Sequence, residues 1–326
     1  MRAARCLAYG PPESVVVEEL PDPVPEREQV VVAVEAAALN YPDVLIVANQ
    51  YQVSMPPPFI PGSEYAGTVS VVGSDVTDFA PGNRVFGTAF VGACAEMVCV
   101  SAGALRPIPD GVTAAEAAAF GVVYQTAYHA LRSVAAVEPA EWVVVLGAAG
   151  GVGLASVELA RMLGARVLAA ASSPAKLDVC RAAGAEAVID YETEDLKERI
   201  KEITGGGADV VLDPVGGHYS ELALRATRWG GRFVTIGFAS GEIPRIPLNL
   251  VLLKGVIVKG FEIRTYSEHA PVEARRDREE LDELFRAGKI RPHVSAVYPL
   301  DGVGAALADL AERRAVGKIV IDPRLG

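Results

Sequence analysis

Cysteine and histidine are scarce, with four of each in 326 residues. Cys6, Cys94, Cys99 and Cys180 are scattered, so reduced thiols are expected rather than a disulfide framework. His129, His218, His269 and His293 lie far apart, and surface or capping roles are expected for them. No apolar run reaches the roughly 18 residues that a membrane-spanning helix needs. The start, Met1-Arg2-Ala3-Ala4-Arg5, is not followed by the apolar core of a secretory signal. Basic residues are outnumbered, 30 against 41, leaving a net charge of −11. That balance argues against nucleic acid or an anionic membrane as the main partner, while leaving room for a local basic pocket. Low-complexity tracts and internal repeats are also missing. A cytoplasmic, globular chain is what these absences leave, long enough for two domains with separate cores.

Residues 1 to about 110 read as all-β. Short Val-rich runs at Ser14–Glu19, Gln29–Ala38, Tyr65–Val72, Arg84–Gly87 and Glu96–Val100 are separated by turn clusters such as Gly10-Pro11-Pro12. Their spacing predicts a compact barrel-like domain. Pro56-Pro57-Pro58-Phe59-Ile60-Pro61-Gly62 is too poor in donors for a central strand and reads as a loop. Thr113-Ala114-Ala115-Glu116 is a capping box opening an Ala-rich helix, and a second helix is predicted over Tyr124–Leu131.

From Trp142 strands and helices alternate. Strands are predicted at Trp142–Leu146, Arg166–Ala171, Ala187–Ile189, Ala208–Leu212, Arg232–Ile236 and Val256–Phe261. Helices fall between the first five, at about Leu154–Leu163, Ala175–Ala183, Asp195–Ile203 and Ser220–Thr227. The pattern predicts an α/β fold with a doubly wound parallel sheet. After Arg264 the chain returns to mixed structure, with helices near Glu273–Ala287 and Val303–Arg314, and Lys318–Asp322 reads as a strand rejoining the first domain. The expected division is therefore 1–120 with 265–326, and an inserted domain at 121–264.

The most informative stretch is the junction of the first parallel strand with its helix. Trp142–Leu146 is a continuous apolar run suited to a buried central strand. Gly147-Ala148-Ala149-Gly150-Gly151-Val152-Gly153 follows, an A-x-G-x-x-G form of the dinucleotide fingerprint with Ala148 at the usual first glycine. Gly150 would admit a pyrophosphate close to the backbone, and Gly153 would let helix and strand pack closely. The N–H groups of Gly151 and Val152 would face the phosphates at the positive end of the helix.

An NAD site usually presents a carboxylate about twenty positions later, for the ribose 2′-hydroxyl. Here the second strand ends Ala169-Ala170-Ala171-Ser172-Ser173, with Lys176 following and Tyr191 at the end of the next strand. Small hydroxyls, an ammonium and a phenol suit a 2′-phosphate, so NADPH is the expected cofactor.

Several pieces together resemble the medium-chain dehydrogenase/reductase superfamily, and within it the zinc-independent quinone oxidoreductases related to zeta-crystallin. They are Ala38-Leu39-Asn40-Tyr41-Pro42-Asp43, Pro61-Gly62-Ser63-Glu64-Tyr65-Ala66-Gly67, Thr126-Ala127-Tyr128, Ala148–Gly153 and Gly317-Lys318-Ile319-Val320, and they run through essentially the whole chain. The resemblance implies a GroES-like first domain and a Rossmann second domain. Zinc-using relatives place a cysteine where this chain has Asn40 and a histidine where it has Ser63. Neither replacement supplies the thiolate or imidazole that zinc takes at about 2.0 to 2.3 Å, so no metal is expected. Without that Lewis acid, the acceptor must already be electron-poor, a quinone or a conjugated carbonyl.

The resemblance also places Lys176 and Tyr191 at the 2′-phosphate and Asn40 and Thr126 near the nicotinamide and its ribose. It sets Val215, Phe238, Ser240 and Phe261 over the nicotinamide half, and Arg314 near the cofactor. Asn40 and Tyr51 are the candidate donors to the acceptor oxygen as it gains charge. A tyrosine common in the family is replaced here by Leu45. The β-branched run Gly255–Phe261 is expected at a sheet edge, where the family pairs two copies into a homodimer. Two other readings share these residues: an enone or enoyl-CoA thioester reductase, and an NADPH-binding protein with a structural or sensing role.

Overall fold

In the computed structural model, which describes residues 1–325, the chain divides into two units. The first is Met1–Val122 with 291–325, and the second is Val123–Ile290. The first is built on the long strand Gln29–Leu39, buried along most of its length as a strand covered on both faces must be. It pairs antiparallel with Glu64–Val72, Met97–Ser101 and Lys318–Asp322. Register shifts between Val31 and Val32 and between Val34 and Ala36 bend it. Arg84–Thr88 and Leu105–Pro107 extend one side of the sheet, and Val294–Pro299 closes the other, parallel to Lys318–Asp322.

This register positions the polar site. Ile319 lies opposite Leu39 and Glu64 opposite Ala38, so three distant segments converge at Asn40. There the chain turns into the helix Tyr41–Val47, with Pro42 in its first turn. Neither this helix nor the strand Arg2–Cys6, paired with Val15–Glu19, was expected. The helix is only two turns long, and Arg2–Cys6 contains no β-branched residue to mark it. The Thr113 capping box forms as expected: Glu116 donates its N–H to Thr113 Oγ1 at 3.2 Å, and Thr113 donates its own to Glu116 Oε2 at 2.9 Å.

All six expected strands of the second unit are present, in the order Ala187–Asp190, Arg166–Ala171, Trp142–Leu146, Ala208–Asp213, Thr227–Thr235, Ile257–Gly260. Every pairing is parallel. The order reverses beside Trp142–Leu146, which is where open α/β sheets bind ligands, beyond the strand carboxyl ends.

Two expectations need correction. The second unit runs to Ile290, not 264, because the helix Pro271–Arg286 buries Ala274, Leu281 and Phe285 within it and ties itself to the helix Gly121–His129. Tyr128 donates to Glu280 at 2.8 Å, and Ser133 donates to Asp277 at 2.6 Å. His129 is not a surface histidine: it is 2% exposed, 3.0 Å from Asp277, and packed on Phe261 and Tyr266. His218, His269 and His293 are exposed. No helix among the described residues is long and apolar enough to cross a membrane.

Candidate active site

The fingerprint folds as strand, tight turn and helix, and each glycine has its own reason. Gly147 carries the left-handed turn, with φ of +57°. The sharp turn thus falls one residue before Ala148, which is why alanine is tolerated at the usual first glycine. A side chain at Gly153 would put its Cβ 2.3 Å from Gly147 O and 2.6 Å from Ala148 Cα, so glycine is demanded by packing. Gly150 differs. Its φ is an ordinary −78°, and a Cβ there would meet only Gly147 O, at 3.4 Å. The protein's own fold leaves room for a side chain at 150, so the glycine keeps space for something outside the chain. Gly150 caps the helix Gly151–Met162, whose first-turn N–H groups, including those of Gly151 and Val152, have no acceptor within the helix.

The second strand ends in a small basic cluster. Lys176 Nζ donates to Ser172 Oγ at 3.2 Å, and Ser173 caps the helix Pro174–Ala182. Tyr191 follows the third strand, its N–H bonded to Ala171 O and its ring 4.4 Å from that of Tyr219. The nearby acids serve the turn: Asp190 accepts from the Glu192 N–H, and Glu194 accepts from the Asp190 N–H. Ser172, Ser173, Lys176 and Tyr191 therefore gather at the carboxyl ends of neighbouring strands.

At the end of the fourth strand, Asp213 is fully buried and organises the next turn. It accepts the N–H groups of Val215 and Gly216, both at 2.9 Å, and the Ser220 hydroxyl at 2.5 Å. Burial pushes its carboxyl upward and these bonds oppose the shift. Val215 is buried beneath the fingerprint turn, where a Cβ on Gly147 would strike its side chain. Ser240 donates its N–H to Val215 O, and Phe238 lies beside Gly216 with 37% of its surface exposed. Phe261 is buried against His129, and Thr126 sits buried in the helix Gly121–His129.

In the first unit Asn40 is the hub of a buried polar cluster. Its Oδ1 accepts from Lys318 Nζ at 2.6 Å, and its Nδ2 donates to Glu64 Oε2 at 2.8 Å and Ser63 Oγ at 3.2 Å. Both amide hydrogens are thus engaged, and the expectation that Asn40 aims a donor at an acceptor oxygen is corrected: it is a connector. Lys318 Nζ also donates to Glu64 Oε2 at 2.7 Å and Leu39 O at 2.9 Å. Glu64 Oε1 accepts the Val122 N–H at 2.6 Å. Asp43 accepts the Asn40 N–H at 2.7 Å through one oxygen, while its other oxygen is buried without a hydrogen bond. Burial pushes the Asp43 carboxyl up to about 7, against the pull of the Asn40 N–H and the Lys318 ammonium. Burial, and then the Asp43 charge, hold the neighbouring Cys94 thiol well above its usual range.

Tyr51 is half-buried on the apolar core, its ring 6.4 Å from that of Phe90. Arg314 pairs with Asp309 at 2.6 Å and with Glu312, at the end of the helix Val303–Ala311. Lys318, Glu64 and Asp43 stand in the sequence motifs without a role, and Ser63 only as a lost zinc ligand. No periodicity announces an ion pair between residues 254 positions apart. The only available sign was a charge inside an apolar strand, at Lys318 before Ile319-Val320.

The matching family models are an alcohol dehydrogenase GroES-like domain over residues 26–110 and a zinc-binding dehydrogenase over residues 151–276. The zinc implied by the second description does not suit the donors present. Asn40 and Ser63 are poor zinc ligands, and Glu64 Oε2 is already held by the Lys318 ammonium. A quinone oxidoreductase-like protein 2 homolog of Nematostella vectensis is 38% identical over 327 residues, covering 99% of this chain and 89% of the relative. The structure of Escherichia coli quinone oxidoreductase complexed with NADPH aligns with a TM-score of 0.90 at 30% identity, covering 99% of this chain and 100% of that one. The CurK enoyl reductase aligns with a TM-score of 0.87 at 27% identity, covering 98% and 99%. The chain belongs to the zinc-independent quinone oxidoreductase branch of the medium-chain dehydrogenase/reductase superfamily.

Proposed function

We propose that this protein is an NADPH-dependent reductase that transfers hydride to a quinone or related conjugated carbonyl without a metal ion. The observation that carries the reading is Lys176 Nζ paired with Ser172 Oγ at the end of the second parallel strand, where an NAD site would offer a carboxylate. When bound, NADPH would supply a hydride from C4 of its nicotinamide. Lys176, Ser172, Ser173 and Tyr191 would hold the 2′-phosphate, and the first-turn N–H groups of Gly151 and Val152 the pyrophosphate. Thr126, Val215, Phe238, Ser240 and Phe261 are the proposed contacts of the nicotinamide half. Asn40 orders the polar cluster, and Tyr51 is the remaining candidate donor to the acceptor oxygen. Arg314 is paired with Asp309 and Glu312 but keeps further N–H groups, and it is proposed near the cofactor. Four unpaired cysteines fit a reducing, cytoplasmic setting.

Steady-state NADPH oxidation with quinones, enones and enoyl-CoA thioesters tests the reading. Turnover fastest on quinones supports it. Turnover confined to thioesters would favour the enoyl reductase alternative, which the CurK likeness supports. Binding without turnover on any acceptor would favour a structural or sensing role.

The glycines separate binding from folding. Gly150→Ala should change stability by less than about 1 kcal/mol yet weaken NADPH binding by about tenfold or more, since its Cβ enters the pyrophosphate space. Gly153→Ala should instead destabilise the unit itself through the backbone collision. Thermal unfolding and fluorescence titration of both variants would measure this, and undiminished NADPH affinity in Gly150→Ala would count against the cofactor site.

The proposal includes a homodimer through the edge strand Ile257–Gly260. Ile257 and Val258 are exposed there, as are Leu248, Leu252 and Leu253 just before it and Trp229 on the neighbouring strand. An apolar edge of this kind needs a partner. Val258→Lys should convert a dimer to a monomer by sedimentation at micromolar concentration. A monomeric parent protein, or a variant dimer as tight as the parent, would remove the proposal.

A further inference from the structure

Lys318 is 3% exposed, and its ammonium sits in a cage of three oxygens, Asn40 Oδ1 at 2.6 Å, Glu64 Oε2 at 2.7 Å and Leu39 O at 2.9 Å. Two of these bonds have a consequence for the site. Because an ammonium only donates, it compels Asn40 to turn Oδ1 toward it, which sends Nδ2 to Ser63 and Glu64. It neutralises Glu64, itself 0% exposed, and leaves Glu64 Oε1 aimed at the Val122 N–H in the first turn of the helix that carries Thr126. A Cβ on Gly121 would lie 2.9 Å from that same oxygen, so the helix start is fitted closely to the carboxylate.

Buried ion pairs are poor sources of stability compared with apolar residues of the same shape. Such a pair needs a reason other than stability, and its position next to Asn40 supplies one. We infer that Lys318 is a positioning residue, the built-in cation of the Asn40–Glu64 site, and that it sets Asn40 and Glu64 for turnover in place of a metal ion. The inference rests on the reductase reading above. The anchors proposed for NADPH, at Gly150, Ser172 and Lys176, lie in the other unit, so loss of the cation should slow turnover more than it weakens cofactor binding.

Two variants test this. Glu64→Gln/Lys318→Met removes both charges together, which preserves the fold where a single deletion would strand a buried charge. Its kcat should fall by about tenfold or more while NADPH affinity stays within about threefold. A kcat within about twofold of the parent would overturn the inference. Lys318→Ala empties the cage, and methylammonium at about 0.1 M should raise both its melting temperature and its kcat. Tetramethylammonium, which has no N–H and is too large, should do neither. Equal effects of the two amines, or none, would also overturn it. If the parent protein turns over no acceptor, the reductase reading fails, but the methylammonium-specific rise in melting temperature still decides whether Lys318 fills a cation site.

Discussion

Lys176→Ala should weaken NADPH binding by about 10- to 150-fold and leave NADH binding almost unchanged. The 2′-phosphate is the group that distinguishes the two cofactors, and as a phosphomonoester it carries roughly −1.5 to −2 charge near neutral pH. Lys176 Nζ is already steered to this spot by Ser172 Oγ, 3.2 Å away, so little freedom is left to lose when the phosphate arrives. A charge-assisted bond to it contributes about 1.5 to 3 kcal/mol, and each 1.4 kcal/mol is about tenfold in affinity. Ser172, Ser173 and Tyr191 remain in the variant and set the lower end of the range. Fluorescence titration with both cofactors measures the effect. Equal losses for both would assign Lys176 to the fold or the pyrophosphate, and no loss for either would make it a solvated helix residue.

The second large effect is on stability against pH, and it belongs to Asp43. Its carboxyl is buried, one oxygen lacks a hydrogen bond, and its pKa is raised from 3.8 to about 7. Burial raises it most and Glu64 adds to that, while the Asn40 N–H, the Lys318 ammonium and the Ser63 hydroxyl favour the charged form. Below about pH 4 the carboxyl is protonated in folded and unfolded chains alike. Between about 4 and 7 the folded chain keeps a proton that the unfolded chain releases, so stability falls as pH rises, by up to about 1.4 kcal/mol per unit. Across the window the loss is of the order of 4 kcal/mol and is complete above about pH 7. Asp43→Asn keeps an acceptor for the Asn40 N–H and has no charge to bury. Its advantage over the parent should therefore be small near pH 4 and grow toward pH 8. Urea midpoints of the two proteins across that range would show it, and parallel curves would mean that Asp43 ionises without penalty.

The parallel sheet was the most legible part of the chain. Its buried strands are unbroken Val and Ala runs, such as Trp142–Leu146 and Arg166–Ala171, and each is punctuated by a turn rich in small residues. The fingerprint and the Ser172–Lys176 cluster are local in sequence, so the parts of a phosphate site could be named before their geometry was known. The polar cluster of the first unit was not legible in the same way. Asn40 was singled out, but as a donor. Its true constraint comes from Lys318, brought beside it only by the pairing of Ile319 with Leu39. Asp43 gave no sign of being unusual, because burial is a property of the assembled sheet and helix. The end of the second unit was misplaced for a related reason: the helix Pro271–Arg286 is highly charged, and the contacts that bind it, Asp277 with His129 and Glu280 with Tyr128, span about 150 residues.

The reaction proposed for this protein is hydride transfer from NADPH without a metal ion. It is tested most directly by NADPH oxidation with 1,4-benzoquinone, using protein purified without added metal, treated with a chelator and assayed for zinc in the same sample. Far less than one zinc per chain is expected, with turnover unaffected by the chelator and a clear preference for NADPH over NADH. Stoichiometric zinc whose removal abolishes turnover would contradict it.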